Sequence, residues 1–212
     1  MPRIVDHEQR RRDIARAVWR LLERDGLRGA SVRAVVAESG LSSGAIRHYF
    51  STQDDLLRFA GRIIRDEVPD RLLGVLKEPG PDPQERACRL LEELVPLDDR
   101  RRTELLVAVA LAELERTSPG QDREFIDASH AGLRVLTRLA VLVLVGRAVE
   151  LTPVDPLEPG LEEAAARLHL LADGVCAQHL FYPGVLTPED LRASLRDGVE
   201  QVGAALGVRP TD

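Results

Sequence analysis

Aromatic residues are scarce in this chain: four Phe, two Tyr and one Trp among 212 residues. Strands are built largely from aromatic and β-branched side chains. Leu, Ala, Val and Arg are plentiful instead, which favours helices over a β-sandwich. Cysteine is nearly absent. Cys88 and Cys176 stand far apart in sequence, so neither a disulfide framework nor a metal-ligand set is available, as in a reduced intracellular setting. Long apolar runs are missing too. The longest, Leu139 to Val145, falls far short of the roughly 20 residues that span a bilayer, and no membrane partner is expected. The opening MPRIVDHEQRRR holds no apolar stretch of the kind a secretory signal needs, which makes the cytoplasm the expected location. No HExxH, CxxC, GxSxG or phosphate-loop pattern accompanies His130, His169 and His179, so they read as core or surface residues. No catalytic residue, metal or cofactor is expected, and there are no internal repeats.

The net charge of −6 hides a division. Residues 1–65 carry 13 Arg against 8 acids, a net of +5, which leaves −11 on the remainder. A basic head on an acidic body suits a nucleic-acid-binding end joined to a regulatory one. Lys77 is the only lysine.

Residues 31–50, SVRAVVAESGLSSGAIRHYF, read as two short helices joined by a tight corner. Ser31 is a hydroxyl N-cap, and Val32, Val35 and Val36 give the first helix one apolar face. Gly40 sits where a helix end calls for a left-handed residue, and Leu41 is the buried bridge. Ser42 caps a second helix with Ile46 and Phe50 inward. Its outer face holds Ser43, Gly44, Ala45, Arg47, His48 and Tyr49, small at first and then rich in donors. Such a face can approach a major groove closely and still offer hydrogen bonds to bases and phosphates. A helix, a Gly-containing turn and a second helix make a helix-turn-helix.

The segment SGLSSGAIRHYFSTQDDLL resembles the TetR family of bacterial transcriptional regulators, in which small, polar and Gly positions precede HYF and a capped helix. Gly26, Gly40, Gly44, His48, Tyr49 and Phe50 fall in the family spacing, and residues 8–65 carry most of the resemblance. It implies an all-α protein of about nine helices. Residues 1–51 would form a three-helix helix-turn-helix DNA-binding domain, and residues 52–212 a helical ligand-binding and dimerisation domain. The implied partners are a double-stranded DNA operator, a small-molecule effector of unknown identity and a second copy of the chain. The implied DNA-binding set is Ser31, Arg33, Ser42, Ser43, Gly44, Arg47, His48, Tyr49 and Thr52. Arg33 stands where some members place a base-contacting Arg. The chain departs from the family at Ser43, Ala45 and Gln53, where members often carry Lys or a similar long residue, Thr and Lys. It also has Arg47 where many carry an aromatic residue.

Along the chain, Asp6 and Gln9 have the spacing of a capping box for the first helix, and Ile14, Val18, Leu21 and Leu22 form its apolar stripe. Trp19 is expected at the edge of that core. Arg10, Arg11 and Arg12 are placed either to touch phosphates or to be solvated. Thr52 and Asp55 open a fourth helix with Leu56, Ala60, Ile63 and Ile64 inward, which Pro69 is expected to kink or end. Helices follow at about 84–95, 101–116, 122–150 and 160–181, separated by Pro/Gly loops. Thr187, Pro188, Glu189 and Asp190 begin a last helix with a cap, Pro at N1 and acids in the first turn. LADGVCAQHLFYPGVLTPEDL looks like the C-terminal region of the BetI-like subgroup.

A pocket in the body is expected to be lined by Phe59, Ile63, Leu91, Leu106, Val109, Phe125 and His130. The dimer interface is expected on the last two helices, at Leu168, Val175, Leu191, Leu195, Val199 and Val202, where two copies would close a four-helix bundle. The function implied is a ligand-responsive repressor that binds a palindromic operator as a homodimer and is released by an inducer. The alternative is a helical interaction module without sequence-specific DNA binding.

Overall fold

A computed structural model describes residues 7–29, 31–77, 82–117, 123–147 and 155–208, without the side chains of residues 7–9 and 12. The capping box expected at Asp6 and Gln9 lies outside the described residues. Among the described residues there are nine α-helices and no strand, so the all-α class holds. They are α1 (His7–Gly29), α2 (Val32–Ser39), α3 (Ser43–Tyr49), α4 (Gln53–Lys77), α5 (Pro83–Glu92), α6 (Asp99–Thr117), α7 (Glu124–Leu144), α8 (Pro159–Phe181) and α9 (Pro188–Ala205). The chain divides into two compact units, residues 1–66 with 106–122 and residues 67–105 with 123–212. The division runs through α4 and α6.

The first unit is built on the α1 stripe. Ile14, Ala17, Val18, Leu21 and Leu22 are buried, and Trp19 is half-buried beside them. Val18 and Leu22 share a small apolar recess with Leu56 and Ala60 of α4, which seats the two helices together. Gly26, at φ 65 and ψ −171, interrupts the helix, and the chain resumes as far as Gly29. On α6 the inward face in this unit is Val107, Leu111 and Glu115, with Glu115 3.9 Å from Arg58. The apolar positions of this helix, Leu105, Leu106, Val109, Leu111 and Ala112, predict a helix buried over much of its circumference; Leu111 is buried, the other four are not. They are half-buried, or in the case of Val109 exposed, because the helix turns Thr103, Glu104, Val107, Leu111 and Glu115 inward at i, i+4 and i+8 spacing.

The second unit is a bundle in which α5 packs on α7 and α9, α7 on α8, and α8 on α9. Ala87, Leu90 and Leu91 of α5 meet Leu136, Leu139, Ala140 and Leu144 of α7, all nearly inaccessible to solvent. The apolar stripes of α8 and α9 complete this core. A capping box starts α9: the Thr187 hydroxyl accepts from the Asp190 N–H at 3.2 Å, and the Asp190 carboxylate accepts from the Thr187 N–H at 2.8 Å. Of the two outcomes expected at Pro69, a kink or an end, the end is excluded: the fourth helix runs through Pro69 to Lys77. The seventh ends at Leu144 rather than near 150. Gly146 takes φ 70, and the Arg147 N–H closes the end on the Leu142 carbonyl at 2.9 Å.

Polar groups tie the bundle together at defined points. Glu162 of α8 accepts from Arg138 Nε of α7 at 2.9 Å, from Arg134, and from the Leu157 N–H at 3.1 Å. The Arg138 hydrogen bonds, working against burial and helped by Leu157 and Arg134, hold its carboxyl down at about 2. A carboxyl depressed in the folded state stabilises the protein above its ordinary pKa, and that contribution is lost as pH falls from about 4.5 toward 2. Melting temperature followed from pH 7 to pH 2 should therefore fall steeply across that interval. Glu162→Gln should lower it at pH 7 and flatten the acid arm. An unchanged arm in the variant would mean that Glu162 is not tied across α7 and α8 in solution.

Candidate nucleic-acid interface

The helix-turn-helix is assembled by local signals. The Ser31 hydroxyl accepts from the Ala34 N–H and the Ser42 hydroxyl from the Ala45 N–H, each at 3.2 Å, capping α2 and α3. Gly40 closes α2 in the left-handed region at φ 67, a conformation that costs a side-chain-bearing residue but not glycine. Val35, Ile46 and Phe50 are buried to 1% or less and anchor the two helices to α1 and α4. Glu38 of α2 accepts from Arg20 Nε at 2.7 Å and from Arg24 Nη1 at 3.1 Å, both on α1. Those two arginines pull the Glu38 carboxyl below the usual range. This clamp was not foreseen, because nothing in a linear reading pairs residues 14 and 18 apart on different helices.

With Ile46 and Phe50 inward, the outer face of α3 is determined. Ser42, Ser43, Gly44, Arg47 and His48 are exposed, Tyr49 is half-buried, and its ring meets His48 edge-on at 5.5 Å. Arg33 on α2 and Thr52 are exposed as well, and Ser31 is half-buried. A Cβ added at Gly44 would meet nothing within 4 Å. The fold itself therefore has no use for a glycine there, and in an exposed helix it costs about 1 kcal/mol relative to alanine.

The start of α4 is arranged differently from a phosphate clamp. The Thr52 hydroxyl accepts from the Asp55 N–H at 3.1 Å, while the Asp55 carboxylate accepts from the Ser51 hydroxyl at 2.7 Å and from the Ser51 and Thr52 N–H groups at 2.9 and 3.0 Å. Those hydrogen bonds, the Ser51 hydroxyl first, hold Asp55 at about 2. A helix N-terminus attracts anions, but at α4 a carboxylate of the chain already takes that place. Beside it opens a cleft of about 370 Å³, lined by Arg11, His48, Tyr49, Phe50, Phe59 and Arg62.

Residues 14–59 match the family described as bacterial regulatory proteins of the tetR family, and residues 83–204 match the BetI-type transcriptional repressor C-terminal region. The chain is 32% identical over 206 residues to the HTH-type transcriptional regulator PksA of Bacillus subtilis, covering 95% of this chain and 94% of that protein. The chain belongs to the TetR family. It is a transcriptional regulator with a DNA-binding domain and a BetI-type C-terminal region. Among solved TetR-like structures, a transcriptional regulator from Rhodococcus sp. Rha1 is 30% identical and superposes with a TM-score of 0.68 over 91% of this chain and 95% of its own. A regulator from Saccharomonospora viridis, solved in complex with choline, shares the fold at a TM-score of 0.71 and 24% identity, over 91% and 96% of the two chains. The relatives that this TetR-family chain matches along its length are named as regulators and not as enzymes.

The remaining candidate residues are placed as follows. Of the expected pocket set, Phe59, Ile63, Leu106 and Val109 belong to the first unit and Leu91, Phe125 and His130 to the second. Phe59 packs on Phe50, ring centroids 4.9 Å apart, and Ile63 is buried near it on α4. Leu91 is part of the second unit's core. Phe125 is half-buried, and the exposed His130 lies 5.2 Å from the ring of buried His169. Burial first, then the nearby His130 and Arg134, pushes the His169 imidazole below its ordinary pKa against the pull of Asp173. The expected interface residues are all turned inward: Leu168, Leu191, Leu195 and Val199 are 0% exposed, and Val175 and Val202 are 6% exposed. α5 and α7 of the same chain cover the stripes that had been reserved for a second copy. The apolar side chains that α8 and its following turn do expose are Leu170, Phe181, Tyr182 and Val185.

Proposed function

We propose that the chain is a repressor that binds a palindromic operator as a homodimer in the cytoplasm and releases it when a small molecule binds. The observation that carries this reading is the outer face of α3, with its bare start at Gly44 and exposed donors at Arg47 and His48. Residues 1–51 are the DNA-binding head, and residues 52–212 carry effector binding and dimerisation. In a two-fold dimer the paired α3 helices read a palindrome best when about 34–36 Å apart. Arg33, Ser43, Gly44 and Arg47 face the bases. Ser31, Ser42, His48, Tyr49 and Thr52 face the backbone, the capping hydroxyls of Ser31, Ser42 and Thr52 keeping a proton to donate. The partner copy docks on the outer side of α8, where Leu170 is 73% exposed and Phe181 70%.

The effector acts only if it binds the conformation that does not fit DNA more tightly, and operator must then weaken effector binding by the same factor. Choline bound by the Saccharomonospora viridis regulator is not the effector favoured here. Quaternary ammonium recognition uses a cage of aromatic faces, and the Phe and Tyr residues of 52–212 are Phe59, packed on Phe50, the half-buried Phe125 and the exposed Phe181 and Tyr182.

The test is electrophoretic mobility shift on the intergenic DNA beside the gene, with two variants. Arg47→Ala should cost about 1–3 kcal/mol and relax the preference at one base position. Gly44→Ala should raise thermal stability by up to about 1 kcal/mol while weakening operator binding, because the added methyl stands on the docking face. Gly44→Ala with unchanged operator affinity would take α3 out of close contact. Absence of any shift with the wild-type protein would favour an interaction module.

A further inference from the structure

The cleft between α1, α3 and α4 collects positive charge that the base-reading face does not use. Arg11 comes from α1, His48 and Tyr49 from the end of α3, and Arg62 from α4, over a floor made of Phe50 and Phe59. The Arg62 guanidinium carbon lies 5.6 Å from the Phe59 ring centroid, which holds that side chain along the wall of the cleft. Burial, and then repulsion from Arg11 and Arg65, lower the Arg62 pKa against the weaker pull of Asp66 and Asp55. Like charges crowded in this way gain when an anion joins them. Asp55 does not serve, because its carboxylate is already taken by Ser51 and Thr52.

We propose that this cleft is a phosphate site, filled by a backbone phosphate of the DNA that α3 reads. The proposal rests on the DNA-binding reading above and adds Arg11 and Arg62 to it. Three features select a phosphodiester. Two guanidiniums offer planar forks that match phosphate oxygens. The Tyr49 hydroxyl and the His48 imidazole can add donors of the kind common at DNA backbones. The cleft is open and shares its rim with α3, so a phosphate beside the bases can enter it without leaving the duplex. It also supplies a cationic contact that α4 lacks at its start, where Gln53, Asp54 and Asp55 stand. Inorganic phosphate offers the same oxygens, so the experiment has an arm for each source.

Arg62→Met and Arg11→Met keep the stems and remove the charges. Each is compared with wild type by DNA-binding anisotropy across a salt series, on operator and on unrelated duplex, and by 31P line broadening of inorganic phosphate. Thermal unfolding confirms that each variant folds. The expected result is a log–log salt dependence shallower by about one unit in each variant, with operator and unrelated DNA weakened by the same factor. An unchanged salt slope, with phosphate broadening seen in wild type and lost in Arg62→Met, would overturn the DNA assignment and leave a free-phosphate site. No change in either arm would overturn the cleft altogether. If wild type bound no DNA, the regulator reading would be what failed, and the 31P arm alone would still decide the cleft.

Discussion

Leu195→Glu should abolish folding of the second unit rather than yield a folded monomer. Leu195 is 0% exposed, on the face of α9 that packs against α5 and α8. Removing a buried leucine costs about 2–5 kcal/mol. The glutamate must then be buried without a partner, which adds several kcal/mol whether it stays charged or takes up a proton. Against a total stability of about 5–15 kcal/mol, the change is decisive. Circular dichroism should show no cooperative thermal transition for the unit, and the protein should aggregate. Leu170→Glu is the contrasting variant. That side chain is 73% exposed on α8, so the melt should be nearly unchanged while sedimentation velocity reads monomer in place of dimer. A folded, monomeric Leu195→Glu protein would return the interface to the inner stripe. A dimeric Leu170→Glu protein would move it off the outer face of α8.

The interface residues show how far a linear reading carries. The stripe Leu191, Leu195, Val199 and Val202 is legible because helical spacing says that one face is covered. It does not say what covers it, and α5, about a hundred residues earlier, does so here. Local devices were legible in full, since their partners are three or four residues away: the caps at Ser31, Ser42 and Thr187, and the left-handed turn at Gly40. So was the outer face of α3, once Ile46 and Phe50 were placed inward. The cleft was only half legible. Phe59 reads as a pocket residue by its apolar character, and Arg62, one helical turn further on, carries no signal in the sequence that sets it apart. Their joint role depends on the end of α3 and on Arg11, which no spacing connects. Least legible were the buried acids of α6. Glu104 is 8% exposed and Glu115 2% exposed, yet glutamates in a helix ordinarily read as solvated.

Glu104 is buried because Arg71 of α4 reaches it, and Arg71→Met should therefore be the most damaging single change to the polar interior. Arg71 meets both Glu104 oxygens, at 2.7 and 2.8 Å, and places Nε 2.8 Å from Glu93 at the end of α5. Arg100 adds a 3.2 Å hydrogen bond to Glu104, and Arg101 pairs with Glu93. Burial alone would lower the Arg71 pKa. The hydrogen bonds and charges of Glu104 and Glu93 outweigh it and raise the pKa, so the guanidinium is held by both acids at once. Without it, two carboxylates remain in poorly solvated positions with one arginine each. Removing one partner of such a group costs about 3–5 kcal/mol, whereas removing charge from both sides is often near neutral. The double variant Arg71→Met/Glu104→Met should accordingly recover most of what Arg71→Met loses, and a double-mutant cycle by urea unfolding measures the difference. A loss under about 1 kcal/mol, the size of an exposed ion pair, with no recovery in the double variant, would mean that α4 is not fastened to α6 through Arg71.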